Sequence, residues 1–224
     1  MNLPEQVGVM VLPQTVFFPH HLLPLHIFEP RYRTMLRQAL EGCRMFAVAS
    51  EPPPNSKNAL VAGLGLIRSC VQQPDGTSNL VLQGLARVRL QHFVQTSPFC
   101  IASPEPVEDP EPATPASLVT REALVAKILE KVDQMENPIG PSLDDVKKFI
   151  RHLDDPHALV DLIAGCFLRD PKIRQTILQT APLTDRLRLL LQNLYTPPPT
   201  IITCLTLQDR VLLKVYDLLF DSSI

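Results

Sequence analysis

Three histidines fall close together, His20, His21 and His26, and a metal site is the first chemistry they suggest. An imidazole pair needs further ligands, usually cysteine or a carboxylate at short, regular spacing. None stands at such a spacing here. All three lie on extended chain interrupted by Pro13, Pro19 and Pro24, which favours structural or surface histidines. Cys43 follows Gly42 at the expected end of a helix, and as a nucleophile it would need a histidine brought alongside. The remaining histidines, 92, 152 and 157, are isolated. A small hydrolase using Cys43 or a His20/His26 metal site is therefore the enzymatic alternative. Ser56-Lys57 sits in a proline-rich loop with nothing apolar to depress the lysine. Gly63 and Gly65 belong to a strand-like run, and no G-x-x-x-x-G-K-[ST] motif exists to cradle phosphates. Asp144-Asp145 and Asp154-Asp155 stand at helix starts, where carboxylates complement the positive helix end.

With catalysis and cofactors unsupported, an interaction surface is what remains. Phe17, Phe18, Leu22 and Leu23 are more bulky apolar residues than a short edge strand needs. Exposed, they would form a protein-binding patch or offer an edge for strand addition, rimmed by Arg31, Arg33 and Arg37. Buried, they would simply be core.

These residues need positioning elements. Val7, Val9 and Val11 suggest a first strand; Val16–Phe18 and Leu22–Ile27 read as two extended segments. Glu29-Pro30 opens a helix with proline at its first position, and Tyr32, Met35, Leu36, Ala39 and Leu40 form one apolar stripe. Met45–Ala49 is a short strand. Runs at 60–71 and 79–90 flank Pro74-Asp75-Gly76-Thr77, a hairpin signal. Gly84, inside the second arm, predicts a bulge or a close backbone approach. Phe99–Ala102 ends the β-rich part. Residues 104–116 are acidic, proline-rich and aperiodic, hence a linker. Four or five helices follow through residue 196. They include starts at Ser142, with Asp145 close to a capping box, at Asp155-Pro156, at Asp170-Pro171 and at Thr184. After Pro197-Pro198-Pro199, Leu207–Phe220 has the pattern of an amphipathic helix, suited to docking on another helix or to homodimer pairing.

The totals set limits. A net charge of −2 argues against a nucleic-acid binder, as does the pI near 6.3. No apolar run approaches the ~20 residues of a membrane helix. The first ten residues lack a basic n-region. Five scattered cysteines without a C-x-x-C pair suit free thiols in a reducing cytoplasm. Proline, at 23 of 224, largely punctuates loops.

Residues 23–36, LPLHIFEPRYRTML, resemble the opening of the Lon N-terminal domain, the substrate-binding module that precedes the Lon protease motor. Residues 80–93, LVLQGLARVRLQHF, are similar to that family's Gly-x-x-Arg-Val-Arg strand. Residues 157–194 resemble its closing helices, with Arg-Gln-x-Leu-Leu and Arg-Leu-x-x-Leu signatures. The resemblance spans roughly residues 7–195. It implies an α+β fold: a PUA-like six-stranded pseudo-barrel with one helix (1–103), a linker (104–116), a helical bundle (117–196) and a break with a terminal helix (197–224). It also implies a stand-alone, non-catalytic module without cofactor or metal. Such a module would hold unfolded or damaged polypeptides and work beside a protease or chaperone. RNA binding by analogy with other PUA folds is disfavoured by the charge, and fold alone does not carry function.

Overall fold

The computed structural model describes residues 3–51, 60–110, 114–135 and 142–194. Its first elements are β1 (Val7–Val11), β2 (Leu22–Ile27), α1 (Pro30–Glu41), β3 (Met45–Ala49), β4 (Leu60–Gln72), β5 (Ser78–Gln95) and β6 (Cys100–Pro106). The helices that follow are α2 (Pro115–Gln134), α3 (Ser142–Arg151), α4 (Pro156–Phe167), α5 (Pro171–Gln179) and α6 (Leu183–Asn193).

The six strands form one mixed sheet in the order β2-β5-β4-β3-β1-β6. Only β1 and β3 are parallel. β5 is long enough to serve two neighbours along one edge. Residues 78–83 pair with β2, and residues 88–95 pair with β6. The second pairing brings β6 back onto β5 and closes β5-β4-β3-β1-β6 into the expected pseudo-barrel, with β2 added on β5. Both faces are packed. Met10, Phe46, Leu80 and Leu82 meet Tyr32, Met35 and Leu36 of α1 in one cluster. Val7, Val9, Ala47, Leu64, Val88 and Leu90 form another. The Tyr32 hydroxyl ties α1 to β1, donating to the Val11 carbonyl at 3.2 Å and accepting from the Val11 amide at 3.1 Å.

The hairpin forms at Gly76, whose φ of 81° explains the glycine. Gly84 shows both features its position predicts. A register shift separates Leu64/Ala86 from Gly65/Gly84. A second chain segment also touches Gly84: its amide donates to the His21 carbonyl at 2.8 Å, and its carbonyl accepts from the His20 amide at 3.0 Å. A Cβ at Gly84 would lie 2.1 Å from the Phe18 carbonyl oxygen, and one at Gly63 would lie 2.0 Å from that of Phe17. The Val16–Phe18 segment is therefore no strand. Its residues cross over β4 and β5 with backbone seated on glycine, a contact that alternation of apolar residues does not reveal.

The chain divides into two compact units, and the boundary differs from the bundle expected at 117–196. Residues 169–179, which contain α5, group with residues 1–108. The reason is polar docking. The Arg174 guanidinium donates to the Val16 carbonyl at 3.0 Å and lies 5.8 Å from the Phe18 ring centroid. Gln175 donates to the Val61 carbonyl and accepts from the Ser50 hydroxyl, both at 3.0 Å. The buried Arg87 donates to the Leu178 carbonyl at 3.1 Å. β6 also runs to Pro106, into the stretch expected as linker.

The second unit holds α2, α3, α4 and α6. Thr114 caps α2 through a capping box with Ser117, and Asp155 caps α4 by accepting from the His157 amide at 2.9 Å. Asp170 begins α5 in the same way, on the Lys172 amide at 2.8 Å. α6 starts one residue before Thr184, without a side-chain cap. Asp161 of α4 accepts from Arg186 of α6 in a fully buried ion pair, of the kind in which loss of one partner is costly. The Ser142 capping box, the 52–59 loop and the Leu207–Phe220 helix lie outside the described side chains or residues.

Two outcomes are expected. Arg174→Met should destabilise the protein by about 1–3 kcal/mol in urea unfolding, because it leaves the Val16 carbonyl without its charged donor. The second concerns acid. Burial pushes the His21 pKa from 6.5 down to about 4, partly opposed by its hydrogen bond to the Pro19 carbonyl and aided by the Arg174 charge. Between those values the unfolded chain binds the proton and the folded chain does not. Stability should fall as pH drops from about 6.5 to about 4, by up to ~3 kcal/mol. Thermal midpoints across that window check this, and a His21→Gln variant should show a shallower slope.

Candidate functional site

The four apolar residues expected as a surface patch are interior. Phe17 and Phe18 are 3% and 0% exposed, and Leu22 and Leu23 are 7% and 8%. Their burial follows from the crossing segment, which Gly63 and Gly84 allow to lie directly on the sheet. As an exposed patch this expectation is corrected. The apolar surface lies a few residues further on.

Phe28, between β2 and α1, is 60% exposed, more than most large apolar residues of the described chain. Its ring stacks on His26 with centroids 6.0 Å apart. The His26 imidazole is held by a 2.8 Å hydrogen bond to the Asn79 side chain. His26, Asn79 and Val71 are directly opposed on β2, β5 and β4, so they form one row on one sheet face. Val71 is also 60% exposed. The row ends at the β4–β5 turn. There the Asp75 carboxylate accepts from the Thr77 amide at 2.9 Å and the Thr77 hydroxyl at 2.7 Å. Those bonds hold its pKa below the usual range, with smaller contributions from the charges of His26 and Arg33.

The three arginines of α1 divide in role. Arg33 lies against the Gly76 backbone at the turn, which brings it beside this face. Arg31 pairs with Glu29 at 2.8 Å and stacks over Tyr32 at 4.5 Å. Arg37 is exposed one helical turn beyond Arg33. β2 itself has a single ladder partner among the described residues, with Pro24 inside it. The signal for Phe28 was available in the motif His-Ile-Phe-Glu-Pro. Period-two alternation puts Leu25 and Ile27 inside, and His26 and Phe28 outside.

The enzymatic candidates are dispersed. His20 is exposed with φ at 64°, while His26 belongs to the row above. Among the described residues no group of three His, Cys, Asp or Glu is gathered for a metal ion. Cys43 is exposed, and its thiol approaches the Met45 carbonyl at 3.9 Å. Cys43, Cys70, Cys100 and Cys166 are free thiols.

The family model of the ATP-dependent protease La (LON) substrate-binding domain matches residues 6–195. The chain belongs to this family. It is 29% identical over 194 residues to a Lon protease of Desulfovibrio desulfuricans, covering 84% of this chain and 22% of that protein. With a Lon protease of Dictyoglomus thermophilum it shares 25% over 192 residues, covering 84% and 24%. It therefore spans about a quarter of the length of these relatives. In fold it is similar to the N-terminal domain of the Mycobacterium avium complex Lon protease, with TM-score 0.64 and 18% identity over 84% of this chain and 96% of that one. A Lon N-terminal domain protein from Xanthomonas campestris gives TM-score 0.56 at 20% identity, covering 84% and 97%. The matched family is a substrate-recognition module, and the match includes no ATPase or peptidase part. No helix among the described residues is long and apolar enough to cross a membrane.

Surface and interior phenylalanines should separate in denaturant. Phe28→Ala should change stability by about 0.5 kcal/mol or less, whereas Phe18→Ala should cost about 3–5 kcal/mol. Chemical denaturation of the two variants checks the assignment.

Proposed function

We propose that this chain is a non-catalytic protein-binding module that holds unfolded or damaged polypeptide segments on the face formed by Phe28, His26 and Val71. The observation that carries this reading is Phe28 itself: a large aromatic ring, 60% exposed, fixed in place by its stack on His26. A rigid exposed aromatic with an apolar neighbour suits the anchor role that aromatic residues fill in interfaces. Unfolded chains are distinguished from folded ones by displayed apolar side chains, and Phe28 and Val71 offer a complementary surface. Arg33, Arg37 and Asp75 supply a polar rim. Side chains lead the recognition, because Pro24 removes a backbone donor from β2 and weakens it as a template for strand addition. A protease or chaperone would receive the held segment. The free thiols suit a reducing, cytoplasmic setting.

A peptide array probed with the purified chain tests this. Binding should concentrate on apolar, aromatic-containing peptides, and Phe28→Asp should weaken it roughly ten- to a hundredfold, the loss of ~1.5–3 kcal/mol of apolar burial. Unchanged binding by a folded Phe28→Asp variant would overturn the proposal.

A further inference from the structure

β4 leaves an open edge next to the polar side of α1. Its ladder with β3 ends at Leu66, and from Ser69 to Gln72 its one strand partner among the described residues is β5. The Gln73 amide donates to the Thr77 carbonyl at 2.8 Å, which sets the alternation of the hairpin ladder. Ser69 and Val71 therefore bond to β5, whereas Cys70 and Gln72 turn their N–H and C=O groups outward. On that side neither backbone has a partner among the described residues. Unlike β2, this stretch contains no proline, so both donors are present.

Arginines bracket the edge. At one end the Arg44 carbonyl accepts from the Ile67 amide at 2.8 Å, and the Arg44 guanidinium donates to the Ile67 carbonyl at 3.5 Å. At the other end Arg33 lies against the Gly76 backbone. Arg37 stands between them on α1, one turn beyond Arg33 and exposed. None of these three arginines forms an ion pair among the described residues. The carboxylates nearest in the chain are Asp75, already engaged by Thr77, and Glu41 at the end of α1. The edge is thus locally cationic on a chain whose net charge is −2.

We infer that the β4 edge from Ser69 to Gln72 takes up an extended acidic peptide as an added strand, with alternate carboxylates directed to Arg33, Arg37 and Arg44. Bonds to the Cys70 and Gln72 backbones set the register. The side chains of an added strand alternate between faces, so every second one lies on the face that Cys70 shares with α1. Charge selects the occupant. A second copy of the same edge would set arginine against arginine, and an apolar segment would leave the guanidiniums unanswered. Val71 turns its side chain to the Phe28 row and its backbone to β5, so this site is separate from the Phe28 face.

Fluorescence anisotropy of a short labelled peptide alternating glutamate with threonine tests this on the full chain. The peptide should bind, less tightly as salt rises. Arg37→Glu should weaken it roughly three- to tenfold, and Phe28→Asp should leave it unchanged. Lysine in place of glutamate should abolish binding. Of two peptides N-methylated at alternate amides, in opposite phase, at least one should lose binding to the unaltered chain. Failure of the glutamate peptide to bind would overturn the inference, as would equal binding of the lysine peptide or of both N-methylated peptides. So would binding that Arg37→Glu leaves intact, or that Phe28→Asp removes. Tighter capture of a single-stranded oligonucleotide would assign the arginines to a nucleic acid, and a dimer that competes with the peptide would assign the edge to a second copy; either result also overturns it.

Discussion

The fold depends on a backbone crossing that has no strand ladder of its own. From Val16 to Phe18 the chain lies over β4 and β5, and its carbonyls come so close to the sheet that only glycine fits beneath them at 63 and 84. Polar backbone buried this way needs partners. Gly84 supplies one through reciprocal bonding with His20 and His21, and Arg174 supplies another at the Val16 carbonyl from 158 residues away. α5 thus completes the sheet unit although it follows three helices of the other unit in sequence. Buried neutral His21 belongs to the same assembly, so acid weakens the crossing itself.

That crossing also decides what the surface offers. By taking Phe17, Phe18, Leu22 and Leu23 into the interior, it leaves β2 anchored on its inner face. Phe28, the first large apolar residue after β2, is left outside at the junction with α1. Tyr32 and Arg33, within the first turn of that helix, fix the junction from both sides. One binds the end of β1, and the other lies on the β4–β5 turn. The exposed ring is therefore presented from a rigid corner and not from a loose loop, which favours affinity because little order is lost on binding.

Local signals in the sequence were sufficient for much of this. Pro30 at a helix start, Gly76 in a hairpin, Asp155-Pro156 and Asp170-Pro171 each act through adjacent atoms, so their types alone determine what forms. Motif resemblance supplied the barrel and the family. What the sequence hid were contacts between distant residues. Nothing near Val16–Phe18 says that Gly63, Gly84 and an arginine far along the chain will bury it. The Arg174-Gln175 pair reads as an exposed helix face until its acceptors, the Val16 and Val61 carbonyls, are known. Asp161 and Arg186 similarly pass for surface charges until α4 and α6 pack. The candidate site shifted for the same reason: bulk alone pointed to Phe17 and Phe18, and burial selected Phe28.

The most direct test of the account is amide hydrogen exchange on the full chain with and without a bound apolar peptide. Protection is expected at Leu22–Ile27 and at the Phe28–Arg33 junction, together with the β4–β5 turn. Protection confined to the helical unit, with β2 and the turn unchanged, would contradict it.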